Sequence, residues 1–154
     1  MNDALYRLIY ISSNQIEGDD RKILSEVENI LATARSKNQR AGITGALMFN
    51  AGCFAQVLEG GHDVIKATYE RIQGDPRHSS VVMLSLEPVQ ERQFSNWSMA
   101  YLGVNSAASA KFGDMTKVSG FDPTKIKGDR VFGLLKDHLL EAEARAAKQQ
   151  PSKY

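Results

Sequence analysis

Disulfides are the first thing this sequence cannot build. Its 154 residues contain one cysteine, Cys53, so no internal disulfide framework is possible, and a reducing, cytoplasmic setting is the default expectation. Charge of one sign is also lacking. Nineteen Lys and Arg face 18 Asp and Glu, for a net charge of +1. That leaves no basic field for a nucleic-acid backbone and no polybasic patch for a membrane surface. No apolar run nears the ~18 residues that would span a bilayer, and Met1 to Leu8 lacks the apolar core of a signal peptide. The three histidines, His62, His78 and His138, are scattered without metal-ligand spacing, so no metal centre is expected. The glycine-containing stretches match neither G-x-x-x-x-G-K-[ST] nor G-x-G-x-x-G, so a phosphate cradle is not expected either. Cys53 sits beside a hairpin turn with no evident His partner, and reads as a small buried hydrophobe.

What remains is an ordinary globular composition, 42% apolar and 24% charged, long enough for one domain with a real core. Leu5 to Ser12 alternates and is rich in β-formers, which predicts a strand with Tyr6, Leu8, Tyr10 and Ser12 on one face. Ile23, Val27, Ile30, Ala34 and Asn38 follow helical spacing, which predicts a helix over Asp20 to Asn38 whose apolar stripe ends in an amide. Ile43 to Asn50 and Cys53 to Glu59 form a hairpin around Gly52. A second helix runs from His62 to about Gln73 and is stopped by Gly74 and Pro76. Ser80 to Leu86 gives a fourth strand. Phe94 to Leu102 gives a weaker fifth, with Trp97, Met99 and Tyr101 on one face. Glu91-Arg92 reads as a solvated loop. After a turn-rich stretch, Val131, Leu135, Leu139 and Ala142 predict an amphipathic tail helix over Asp129 to Lys148.

The order β-α-β-β-α-β-β is the ferredoxin-like arrangement, an α+β fold with two helices on one face of a mixed sheet. Right-handed crossovers leave few other ways to wind it. The tail helix is expected to cap the opposite face or to pair with another subunit. The chain thus divides into a domain over residues 1–103 and a helical extension over residues 104–154.

Against that frame some polar residues stand where apolar ones would be cheaper. Gln56 lies within the buried run Phe54-Ala55-Gln56-Val57-Leu58, and its amide must find partners inside the protein. Tyr10 is mid-strand, Asn38 ends the first helical stripe, and Arg71, Asp75 and His78 cluster at the end of the second helix. In this topology a slot lies between the two helices. Tyr10 and Gln56 project into it from the sheet, Asn38 from one wall and the Arg71–His78 group from the other. Facing amides supply both donors and acceptors, which suits a flat, polar, mostly buried ligand such as a heterocycle with a lactam-like edge.

The stretches LYRLIYIS, ARSKNQRAGITGALMFNAGCFAQVLEGG, YERIQGDPRHSS and ERQFSNWSMA occur in an order that resembles the BLUF family, the blue-light sensors that use flavin. The resemblance covers about Leu5 to Leu102. Ala55 departs slightly, since a bulkier apolar residue is commoner there. The resemblance implies a photochemical role for Tyr10 with Gln56 as its partner, and a bond from Asn38 to the carbonyl–imide edge of the flavin. Arg71, Asp75, Arg77 and His78 would lie along the flavin side chain and ring edge, with Ile30 and Phe54 as apolar ring contacts. Trp97 and Met99 fall in the family's switch segment.

FAD is the expected flavin, with FMN or riboflavin as alternatives. The implied function is a photoreceptor, not an enzyme, that signals through the fifth strand and the tail to a separate protein partner. A homo-oligomer is expected. The tail EARAAKQQPSKY reads as a fraying end, which favours a stand-alone sensor. Two other functions fit the strand order. An acylphosphatase-type enzyme would need an anion-binding loop after the first strand, where Ser13 to Asp20 is acidic. An RNA-binding module would need aromatics on an open sheet face and a basic surface.

Overall fold

The computed structural model describes residues 4–14, 18–49, 53–76, 78–94, 99–102 and 127–137. The element order is β1 (Leu5–Asn14), α1 (Asp20–Ala41), β2 (Thr44–Phe49), β3 (Cys53–Gly61), α2 (His62–Gln73), β4 (His78–Pro88) and β5 (Ala100–Leu102). Residues 128–137 form a further helical segment, α3.

Helix α1 begins where the Asp19 carboxylate accepts from the Lys22 backbone N–H at 2.9 Å, a cap worth ~1 kcal/mol. It ends at Gly42, whose φ of 71° is left-handed, and the Ile43 N–H returns to the Asn38 carbonyl at 2.8 Å. This Schellman-type closure lies three residues beyond the end set by the apolar stripe. The added residues, Gln39-Arg40-Ala41, are exposed and need no apolar face to stay helical.

The sheet order is β4-β1-β3-β2-β5, the ferredoxin-like order with one strand added at the β2 edge. β1 pairs antiparallel with β3 and β4, β2 pairs antiparallel with β3, and β5 runs parallel to β2. The register sets Tyr10 opposite Gln56 and Gln56 opposite Leu47, so these three form one row across the sheet. Between Ile9 and Tyr10 the pairing with β4 slips by a residue. Such a bulge bends a strand and re-aims its side chains, here beside Tyr10.

Strand alternation divides the core. Leu8, Tyr10, Leu47, Phe49, Phe54 and Leu58 pack beneath α1 and α2 with Val27, Leu31, Ile65 and Tyr69. Ile9, Ile11, Ala46, Met48, Cys53, Ala55 and Val57 form the other layer, covered by Phe94 and by Val131 and Leu135 of α3. Helix α3, residues 128–137, therefore caps the second sheet face, and the remainder of the expected tail helix, residues 138–148, lies outside the described residues.

Two local expectations change. The fifth strand starts at Ala100, not Phe94. The Phe94 backbone N–H is bound instead by the Glu59 carboxylate at 2.9 Å, which removes it from any ladder. Arg92 is only partly solvated. Its guanidinium donates to Thr44 Oγ1 and the Glu59 carbonyl, each at 2.9 Å, and to the Gly42 carbonyl at 2.7 Å. Residues 95–98 and 103–126, with Trp97 and the 103/104 boundary, lie outside the described residues.

Candidate functional site

A cleft opens between α1 and α2 above the Tyr10–Gln56–Leu47 row. Ile30, Thr33, Ala34, Lys37 and Asn38 line it from α1, and Thr68, Arg71, Ile72 and Asp75 from the α2 side. The α1 residues recur at i, i+3, i+4, i+7 and i+8, which is one helical face. The cleft is open at its mouth and encloses about 770 Å³, the solvent at the mouth included.

At its floor the Tyr10 hydroxyl donates to Gln56 Oε1, and Gln56 Nε2 donates to Met99 Sδ at 3.3 Å. The buried amide that the sequence leaves unplaced is thus held at both ends. Tyr10 is 1% exposed and Gln56 6%. Burial pushes the Tyr10 phenol well above its ordinary ionisation range, and the nearby Tyr69 and Asp75 push the same way. The phenol therefore keeps its proton at neutral pH. Its ring lies 5.6 Å from that of Tyr69, whose own pKa is raised by burial and partly lowered by a backbone hydrogen bond from Met83. A thioether is a weak acceptor, so the amide N–H of Gln56 is held by a partner that costs little to exchange.

The walls differ in character. Asn38 is 2% exposed and supplies a second amide. Ile30, Ala34, Leu47 and Ile72 supply apolar surface. Arg71 donates to Thr68 Oγ1 at 3.1 Å, and Thr68 donates in turn to the Val64 carbonyl at 2.9 Å. That fixes a cation at one end of the cleft while Lys37 supplies another. Amides for a lactam-like edge, flat apolar walls, and cations for an anionic side chain together make a donor set that suits a flavin nucleotide.

Of the residues singled out from sequence, Tyr10, Ile30, Asn38, Gln56, Arg71 and Asp75 meet in this cleft, with Met99 against Gln56. Phe54 is not among the lining residues. It is fully buried, with its ring 4.8 Å from Phe49. His78 opens β4 with its backbone opposite Asn14. Arg77 and Trp97 lie outside the described residues. Thr33, Lys37, Leu47, Thr68 and Ile72 were missed. Thr33 and Lys37 precede Ala34 and Asn38 of the apolar stripe by one residue each, and are legible once the cleft side of α1 is known. Among the described residues no group of three or more His, Cys, Asp or Glu could hold a metal ion. No helix there is long and apolar enough to cross a membrane. The sheet face that an RNA-binding module would need open is covered by α3.

Comparison with known proteins agrees with this fold. Residues 5–100 match the family described as BLUF, sensors of blue-light using FAD. The chain is 37% identical over 75 residues to a photoactivated adenylate cyclase subunit beta of Euglena longa, covering 48% of this chain and 9% of that protein. It is 32% identical over 80 residues to the blue light- and temperature-regulated antirepressor BluF of Escherichia coli (strain K12), covering 52% of this chain and 20% of that protein. The chain therefore spans only a small part of these relatives. Among solved structures it resembles the photo-activated state of BlsA, with a TM-score of 0.72 and 30% identity over 88% of this chain and 94% of that one. It also resembles the dark state of the BLUF protein BlrB, with a TM-score of 0.74 and 25% identity over 92% of this chain and 99% of that one.

Proposed function

The chain belongs to the BLUF family of blue-light sensors that bind flavin, and from that premise we propose how its own residues convert absorbed light into a change of packing. The observation that carries the proposal is the relay from the Tyr10 hydroxyl through Gln56 to the Met99 sulfur. FAD, the flavin named in the family description, is the one we assign. Asn38 and Gln56 would hold the polar ring edge, Ile30, Leu47 and Ile72 the ring faces, and Lys37 and Arg71 the anionic side chain, with Arg77 and His78 assigned to the same end by family resemblance. When bound, the oxidised flavin absorbs blue light and becomes a strong oxidant.

Tyr10 is the electron donor this chain places at the cleft floor. A phenol that loses an electron becomes a strong acid, and the Tyr10 proton already rests against Gln56 Oε1, so electron and proton leave together. An amide both accepts and donates, which lets Gln56 pass a proton along its length. When the charge returns, Tyr10 recovers its electron and proton, and Gln56 is left rotated or tautomerised. Its weak bond to Met99 is the one given up. No substrate is consumed, and the chain acts as a sensor, not an enzyme.

The output is a change in the packing of Met99, just before β5, with Trp97 as the alternative by family resemblance, and it is carried to the extension over residues 104–154. One hydrogen bond contributes ~0.5–1.5 kcal/mol net, so light shifts populations by about tenfold. A separate partner protein, or a second copy of the chain in a homo-oligomer, reads that shift in the cytoplasm.

Protein purified with flavin should show a blue absorption band that moves reversibly to the red under blue light. Tyr10→Phe should keep the flavin and lose the shift. A folded protein that takes up no flavin on reconstitution, or a normal shift in Tyr10→Phe, would overturn the proposal.

A further inference from the structure

Met99 is held from two sides. Its sulfur accepts from Gln56 Nε2 at 3.3 Å, and its backbone carbonyl accepts from Arg35 Nε at 2.9 Å. Arg35 lies on α1 one turn before Asn38, and the bond to Met99 is partly buried. Met99 also packs within the apolar layer beneath α1 and α2, but the strand that follows it is short. β5 has three residues, Ala100–Leu102. It lies at the sheet edge and pairs in parallel with β2, a pairing slightly weaker per residue than the antiparallel kind. A bond from a guanidinium is roughly twice as strong as a neutral one. It therefore helps to set the Met99 backbone, and through it the place of the sulfur.

We propose that Arg35 is a positioning residue for the light response, holding Met99 where its sulfur meets the Gln56 amide and so setting how readily the dark arrangement is restored. The proposal rests on Gln56 being the amide that light rewires. Arg35 acts through the Met99 backbone and reaches neither Tyr10 nor the ring-holding amides. Return to the dark state requires Met99 to come back beside Gln56, and Arg35 keeps its backbone at that place. Losing the anchor should slow the return.

Arg35 is exposed on its helix, and alanine is the best helix former, so Arg35→Ala should fold. The flavin-loaded protein is labelled at its methionine methyl groups, and the Met99 resonance is assigned by its loss in Met99→Leu. Without illumination, Arg35→Ala should shift or broaden that resonance. After a blue flash, Arg35→Ala should slow dark recovery by about three- to tenfold, the factor commanded by a hydrogen bond weakened by its partial exposure to solvent. Arg35→Lys, which keeps a charged donor, should restore most of the rate. In a Met99→Leu background, where no sulfur is left to position, Arg35→Ala should change recovery less than about twofold, since coupled residues are non-additive. An unmoved methyl resonance, an unchanged or faster recovery, or an equal slowing in both backgrounds would overturn the proposal. Should the wild type show no photocycle, the assignment of Gln56 fails, and the dark methyl resonance still decides whether Arg35 positions Met99.

Discussion

Glu59 offers the severest test of how this fold is held together. Its carboxylate is fully buried. Oε2 accepts from Arg7 Nε at 3.2 Å, Arg7 Nη2 at 3.0 Å and the Gln93 backbone N–H at 2.9 Å. Oε1 accepts from the Phe94 N–H at 2.9 Å and Thr44 Oγ1 at 3.3 Å. The face of Arg7 lies 4.3 Å from the Phe132 ring on α3, so one anion ties β1, β2, the chain entering β5 and the capping helix. Glu59→Leu removes that anion. It leaves the Arg7 guanidinium, with its side chain 11% exposed, without its counter-charge, and strands the Phe94 N–H. Breaking a buried pair from one side costs ~3–5 kcal/mol, a large share of the ~5–15 kcal/mol that holds a domain folded. Urea unfolding should show this as a fall in midpoint with an unchanged slope. Arg7→Met should then cost at least ~2 kcal/mol less in the Glu59→Leu background than in the wild type, because the charge it strands is already gone. A loss below ~1 kcal/mol for Glu59→Leu, or additive single effects, would refute the assignment of Glu59 as a tie between layers.

Two further perturbations test other parts of the structure. A Cβ on Gly45 would lie 2.0 Å from the Val57 carbonyl oxygen. Because that neighbour is backbone, Gly45→Ala should cost about 3 kcal/mol or more and lower the urea midpoint accordingly, and a midpoint within experimental error of wild type would contradict the close approach of β2 and β3. Burial keeps Tyr10 protonated in the folded chain, whereas an unfolded tyrosine ionises near pH ~10. The stability this proton carries is intact below pH ~10, and above it falls by up to ~1.4 kcal/mol per pH unit. Tyr10→Phe should lose that slope in unfolding measured from pH 8 to pH 11, and equal slopes would show that Tyr10 ionises normally.

The sheet and its two covering helices were readable because local signals agree with the fold: alternation of β-formers along Leu5 to Ser12, short apolar runs on either side of Gly52, and a 3.6 period along Asp20 to Asn38. Tyr10, Asn38 and Gln56 were readable because they are polar residues inside those apolar patterns. The tail helix was legible from Val131 and Leu135, which do meet the second sheet face. Arg92, in contrast, looked solvated, because local sequence says nothing about carbonyls contributed by Gly42 and Glu59 across the sheet. The Arg7–Glu59 pair escaped notice for a related reason. Arg7 and Glu59 lie directly opposite each other, on the face shared by Ile9 and Val57, and a charge of each sign at matching strand positions was the available signal. Arg35 gave none, since its partner is a backbone carbonyl 64 residues away.

The central claim is that light rewires the Gln56 amide through its bond to Tyr10. It is tested most directly by the light-minus-dark infrared difference spectrum of flavin-loaded protein carrying 15N in its glutamine side chains. Bands that shift with the label, and that vanish in both Gln56→Leu and Tyr10→Phe, are the expected result. A full difference spectrum untouched by the label, or one that survives in Gln56→Leu, would contradict the mechanism.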